Sequence, residues 1–145
     1  MFLMDFFFFC LVIAMTKSTH TPEYVRKEVE TLIDRATSYD VDALETIYHK
    51  DLHIVILDRE NNVKTSNKSE FISFFAGLKA EGREPMNKWA DWHHIHVRGN
   101  DAVVVLTRKN DVAGESTKIK CSIDMVFEND RWQVIREEIF QVAND

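Results

Sequence analysis

Two sets of residues on one stretch of this chain, and three single residues elsewhere, are of types that could do chemistry. Trp89, Asp91, His93, Ile95 and Val97 alternate along a stretch that reads as a strand, so they share one face. The aliphatic end of that set suits the core side, which carries Trp89, Asp91 and His93 inward. An inward acid is tolerable only with a partner or a cavity; a solvated sheet edge is the alternative. Trp92, His94, His96 and Arg98 then share the opposite face. His94-x-His96 has a spacing that can chelate a metal, but no third ligand stands nearby. Asp58 precedes a polar turn, where Asp is favoured for turn reasons alone. Arg108 lies on a strand that could present it to an anionic ligand, or to solvent. Cys121 sits in an apolar strand pattern without an activating His, and reads as a small buried side chain. There is no Gly-rich phosphate loop and no Ser nucleophile elbow, and no cofactor or metal is expected.

These residues need a frame, and the chain punctuates one clearly. Thr21-Pro22-Glu23 is a helix start, with a Thr cap, Pro in the first turn and an acid near the positive end of the dipole. Val25, Val29, Leu32, Ile33 and Ala36 follow at helical spacing and define one buried face. Asp40 caps a second, short helix that carries Ala43, Leu44 and Ile47. Residues 52–57 read as a strand and 63–65 as its brief return. Asn67 and Glu70 predict a capping box for a third helix bearing Phe71, Ile72, Phe74, Phe75 and Leu78. Asn67-Lys68-Ser69 also matches a glycosylation sequon, but is read here as that cap. Residues 87–98, 102–109, 118–127 and 132–140 form two long hairpins of a meander. Helices first and an antiparallel sheet afterwards predict an α+β domain.

The order of elements resembles the nuclear transport factor 2-like superfamily. This is the cone-shaped fold of ketosteroid isomerase, scytalone dehydratase and SnoaL-like polyketide cyclases. The supporting residues are Ser38-Tyr39-Asp40-Val41-Asp42-Ala43-Leu44, the Val97-Arg98-Gly99-Asn100-Asp101-Ala102-Val103 turn, and Asn129-Asp130-Arg131-Trp132-Gln133-Val134. The likeness spans residues 22–140. It implies helices packed in the concave face of a strongly curved sheet, enclosing a cavity for a small organic ligand. It also implies a homodimer through the other sheet face. A shared fold of this kind does not fix a reaction.

In ketosteroid isomerases a carboxylate near the end of the first strand moves the proton. Alignment from the preceding helix puts that position on Ile56, and alignment back from the Phe71 helix puts it on Asp58. Ile123-Asp124 resembles the setting of the isomerase's second acid, while the tyrosine position falls on Leu32, which donates no hydrogen bond. Resemblance therefore turns Asp124 inward. The alternation of Ile119, Cys121, Ile123, Met125 and Phe127 turns it outward. The expected cavity lining is Asp58, Trp89, Asp91 and His93, with Arg108 and Asp124 as further ligand contacts. Two functions follow. One is a binding domain without chemistry. The other is a cofactor-independent isomerase or dehydratase using Asp58 or His93 as acid and base.

Composition narrows the partners. Twenty-four acids against 18 bases give a net charge of −6, which argues against a nucleic-acid partner. Apolar residues on both faces of residues 102–106 support the homodimer. Residues 1–15 stand apart as an apolar leader, and 16–145 read as one domain. The run at 6–14 falls short of the ~18 apolar residues that a bilayer span requires. Asp5, the lack of Lys or Arg before the run, and the poor cleavage site at Ala14-Met15-Thr16 count against a signal peptide. A leader ahead of a true start at Met15, a signal or anchor, and an extra packed helix are the three readings. A start at Met15 implies a cytoplasmic protein, and a signal peptide a secreted or periplasmic one.

Overall fold

The structure is a computed structural model that describes residues 18–110 and 117–142. The expectations for the leader lie outside the described residues. The elements among the described residues follow in the order α1 (Pro22–Thr37), α2 (Val41–Ile47), β1 (Tyr48–Leu57), β2 (Val63–Asn67), α3 (Lys68–Ala80), β3 (Ala90–Arg98), β4 (Asp101–Asn110), β5 (Thr117–Glu128) and β6 (Arg131–Val142). The sheet order is β2-β1-β6-β5-β4-β3. Every neighbouring pair is antiparallel except β1 and β6, which run parallel. This is the curled α+β architecture that the resemblance implies.

The helix caps form as the sequence dictates. Thr21 accepts the amide of Tyr24 at the start of α1, and Asp40 that of Ala43 at the start of α2. Asn67 and Glu70 complete a reciprocal capping box at α3. Between α1 and α2 the chain turns on Tyr39, whose φ of 58° is left-handed. Its hydroxyl donates to the Glu84 carbonyl at 2.8 Å, tying the junction to the segment before β3. The β5–β6 turn places both Asn129 and Asp130 at positive φ, as a two-residue hairpin loop requires.

Val25, Val29, Leu32 and Ile33 of α1 and Phe71, Ile72, Phe75 and Leu78 of α3 bury one face each. They join Ile54, Val104, Leu106, Ile123, Met125 and Val134 from the sheet in one core. At roughly 1.5–3 kcal/mol for each large apolar side chain fully buried, this face fixes the sheet against the helices. Among the described residues no helix is long and apolar enough to cross a membrane.

Two irregularities in the sheet decide which residues face the core. The β3–β4 register shifts between Trp92 and His94, leaving His93 as an extra residue in β3. The β5–β6 register shifts between Asp124, opposite Arg136, and Met125, opposite Val134, leaving Ile135 extra in β6. Each bulge inverts the alternation of everything beyond it on its strand.

Candidate functional site

Between α1, α3 and the inner face of the sheet lies a partly open cavity of about 290 Å³. Its walls are mainly apolar, including Leu32, Ile33, Phe71, Phe75, Leu106 and Ile139. The polar residues that reach it are Thr37, Tyr48, Arg108, Lys109, Asn110, Glu137 and Gln141. Thr37 is already satisfied, donating its hydroxyl to the Ile33 carbonyl at 2.6 Å.

Glu137 is the acid that regular alternation misses. Val134 faces the core, so an unbroken β6 would bring Arg136 inward and Glu137 outward. The bulge at Ile135 reverses this: Glu137 stands opposite Ile123 on β5 and Ile54 on β1, both buried on the inner face. Glu137 is 8% exposed, and no hydrogen bond or salt bridge engages its carboxyl among the described residues. Its side chain lines the cavity instead. Burial pushes its pKa from the ordinary 4.5 up to about 7, with the positive charge of Arg108 opposing the rise. The same burial, assisted by the charge of Glu137, raises the Tyr48 hydroxyl well above its usual value. Cys121 is raised by burial first and Glu137 second, so its thiol stays protonated and unreactive. Tyr48, Cys121, Arg108 and Glu137 thus share one electrostatic field.

Arg108 reaches the cavity from β4. Its Nε donates to the Trp89 carbonyl at 3.0 Å and an Nη to the Asn87 carbonyl at 2.7 Å. These bonds hold the guanidinium and pin the segment before β3 alongside β4. Lys109 follows, with its ammonium 5.0 Å from the centre of the Trp89 ring.

Five other sequence candidates lie outside the lining. The bulge at His93 means that Ala90, Trp92, Ile95 and Val97 pack against the core, not the expected Trp89, Asp91 and His93. Asp91 is exposed opposite Thr107, and the His93 ring is 2.7 Å from the Thr107 hydroxyl. Trp89 is 40% exposed, outside the cavity and under Lys109. Asp58 closes its own turn: Oδ1 accepts the amides of Asn62 at 2.8 Å and Glu60 at 2.9 Å. The Asn62 amide bond is the main reason its carboxyl titrates below the ordinary range. Asp124 follows the strand pattern and not the resemblance; on the outer face its Oδ2 takes the Arg136 Nε at 2.7 Å. His94 and His96 are exposed and stack with ring centres 6.2 Å apart. Among the described residues no three His, Cys, Asp or Glu side chains are grouped to hold a metal.

A signal for Glu137 was present in the sequence. Trp132 and Val134 fall on even numbers and Ile139 on an odd one, and this break in the parity of apolar residues marks a bulge between them. The step from Trp92 to Ile95 and Val97 marks the one in β3 in the same way.

No family model and no curated protein sequence matches the chain. Solved structures do. An NTF2-like protein of unknown function from Silicibacter pomeroyi is 19% identical, with a TM-score of 0.66 over 81% of this chain and 92% of its own. An NTF2-like protein from Cytophaga hutchinsonii is 15% identical, with a TM-score of 0.67 over 83% of this chain and 97% of its own. One of unknown function from Shewanella baltica is 10% identical, with a TM-score of 0.66 over 83% and 92%. The chain has the nuclear transport factor 2-like fold.

Proposed function

We propose that this chain binds a small organic molecule in its cavity, with Glu137 as the polar anchor. The unpartnered Glu137 carboxyl carries this reading. No protein group bonds the carboxyl, which lines the partly open cavity, so a ligand hydroxyl or carbonyl can hydrogen-bond it there. The remaining wall offers shape and apolar contact, the usual composition of a small-molecule site. At 290 Å³ the cavity lies at the small end of the usual range of ligand sites, about 300–1,000 Å³. The test is binding of 4-ethylphenol, followed by protein NMR. Shifts should cluster at Ile56, Ile123 and Ile139 and vanish when Ile123→Trp fills the cavity. No binding at millimolar concentration rejects the reading.

A second reading, a cofactor-independent isomerase or dehydratase, draws support from Glu137 titrating near neutrality in the same field as the Tyr48 hydroxyl. Efficient general acid–base groups have pKa values near the working pH. Here Glu137 takes the part that the sequence offered to Asp58 or His93. Ketones that bind should then exchange their α-protons for deuterium in D2O, and Glu137→Gln should abolish the exchange. Equal exchange in both proteins rules this out.

We also propose a homodimer through the outer sheet face. Val103, Val105, Val126 and Ile135 are partly buried there and would be covered by a second copy. Sedimentation equilibrium at micromolar concentration should give twice the chain mass of 17.0 kDa. A monomer alone counts against the dimer.

A further inference from the structure

The apolar wall of the cavity is mostly stiff. Ile33, Ile56, Ile119, Ile123 and Ile139 are β-branched, so their first side-chain torsion is restricted. Phe71 and Phe75 brace each other edge to face, with ring centres 5.1 Å apart. Met86 differs from these. Among the described lining residues it alone belongs to neither a helix nor a strand. It sits in residues 81–89, the largely exposed connection between α3 and β3. The backbone there is held on both sides. The Met86 amide donates to the Thr37 carbonyl, at the end of α1, at 2.9 Å. The Glu84 carbonyl accepts the Tyr39 hydroxyl at 2.8 Å, and the Asn87 carbonyl accepts an Arg108 Nη at 2.7 Å. The main chain at Met86 is therefore fixed. Its side chain lines the cavity and is only partly buried against the core.

We propose that Met86 is the adjustable wall of the cavity and sets the length of ligand it accepts. This rests on the binding reading above and adds the shape of the ligand, a hydroxyl or carbonyl carrying an apolar tail of variable length. Glu137 shares one inner row with Val104 and Ile123. Arg108, which holds the Asn87 carbonyl next to Met86, stands four positions further along β4, about 14 Å of strand. A molecule anchored at Glu137 and lying along the strands thus runs toward Met86. A short tail packs against the thioether. A longer tail turns the thioether outward, and no backbone hydrogen bond breaks. An unbranched side chain with three rotatable bonds suits that exchange. A β-branched side chain at the same place would not yield.

The test titrates 4-ethylphenol, 4-propylphenol, 4-butylphenol and 4-pentylphenol into the full chain by calorimetry. In the native protein each added methylene should tighten binding, by up to about fourfold where it is buried. In Met86→Ile the ethyl compound should bind as in the native protein, and the gain should stop at the propyl or butyl tail. Met86→Ala should keep the gain to the pentyl tail. A second readout uses protein labelled with carbon-13 at the methionine methyl groups. The Met86 signal, identified by its loss in Met86→Leu, should move progressively as the tail grows. That measurement is made on the unaltered side chain, so it stands even if Met86→Ile folds poorly. A Met86→Ile series parallel to the native one overturns the adjustable wall. So does a native series that gains nothing beyond the ethyl tail, or a Met86 methyl that keeps one position throughout. In each of these cases the cavity reading survives. If none of the phenols binds, both fall.

Discussion

Val134 and Glu137 face the same side of the sheet although they stand three positions apart along one strand. Odd spacing sends side chains to opposite faces in a regular strand. Here Ile135 has no partner across the β5–β6 ladder, so the strand gains a residue and its later half is inverted. One unpaired residue thereby converts a surface glutamate into a buried one.

Stability should depend on pH through that glutamate. Its folded pKa, about 7, lies above its ordinary 4.5. Between these values the native state keeps a proton that the unfolded chain has lost. Stability is therefore highest below about pH 4.5 as far as Glu137 is concerned, falls as pH rises to about 7, and levels beyond it. The loss is on the order of 3 kcal/mol. Urea unfolding at pH 5 and pH 8 should show this fall in the native protein. Glu137→Gln should remove it and leave the variant the more stable of the two at pH 8. Parallel pH profiles for both proteins contradict the assignment.

Asp58→Asn should leave probe binding unchanged. The Asp58 carboxyl is committed to the amides of Glu60 and Asn62 at the β1–β2 turn. A small loss of stability is the expected effect. A change of more than about threefold in 4-ethylphenol affinity would return Asp58 to the site.

Asn67→Ala should cost about 1 kcal/mol, the usual value of a helix N-cap. The capped helix α3 supplies Phe71, Phe74 and Phe75 to the cavity wall, so probe affinity should drop with it. Thermal melts and a binding titration on the same variant measure both. Loss of stability with affinity intact would show that the cavity does not depend on the first turn of α3.

A chain beginning at Met15 should melt within a few degrees of the full sequence. The cap at Thr21 and the bond from the Trp132 indole to the Thr19 carbonyl, 2.7 Å, lie beyond the truncation. A fall of many degrees would show that the leader contributes to the folded unit.

Much of the frame was legible because its signals are local. Thr21-Pro22, Asp40 and Asn67 with Glu70 are decided by a turn of chain each, and all three cap helices as read. Hairpin positions followed from Gly99-Asn100 and Asn129-Asp130. The site was harder, because it depends on parity carried along whole strands. A single extra residue at His93 sent Asp91 and His93 outward, and another at Ile135 brought Glu137 in. Bulges have no strong residue signature, and only the phase of the apolar residues on either side betrays them. β1 also starts at Tyr48 and not Leu52, which brings the Tyr48 ring to the border of the cavity.

The parallel contact of β1 with β6 joins the first strand of the chain to the last. The β1–β2 hairpin touches the rest of the sheet through β6 alone. While the chain emerges from a ribosome, β1 therefore has an open edge until residues up to Val142 have been made. Closing so long a loop is entropically slow, and local hairpins must form before it. The cavity is in this sense a post-translational object: its deepest acid arrives on the final strand, and the opposite wall waits for it.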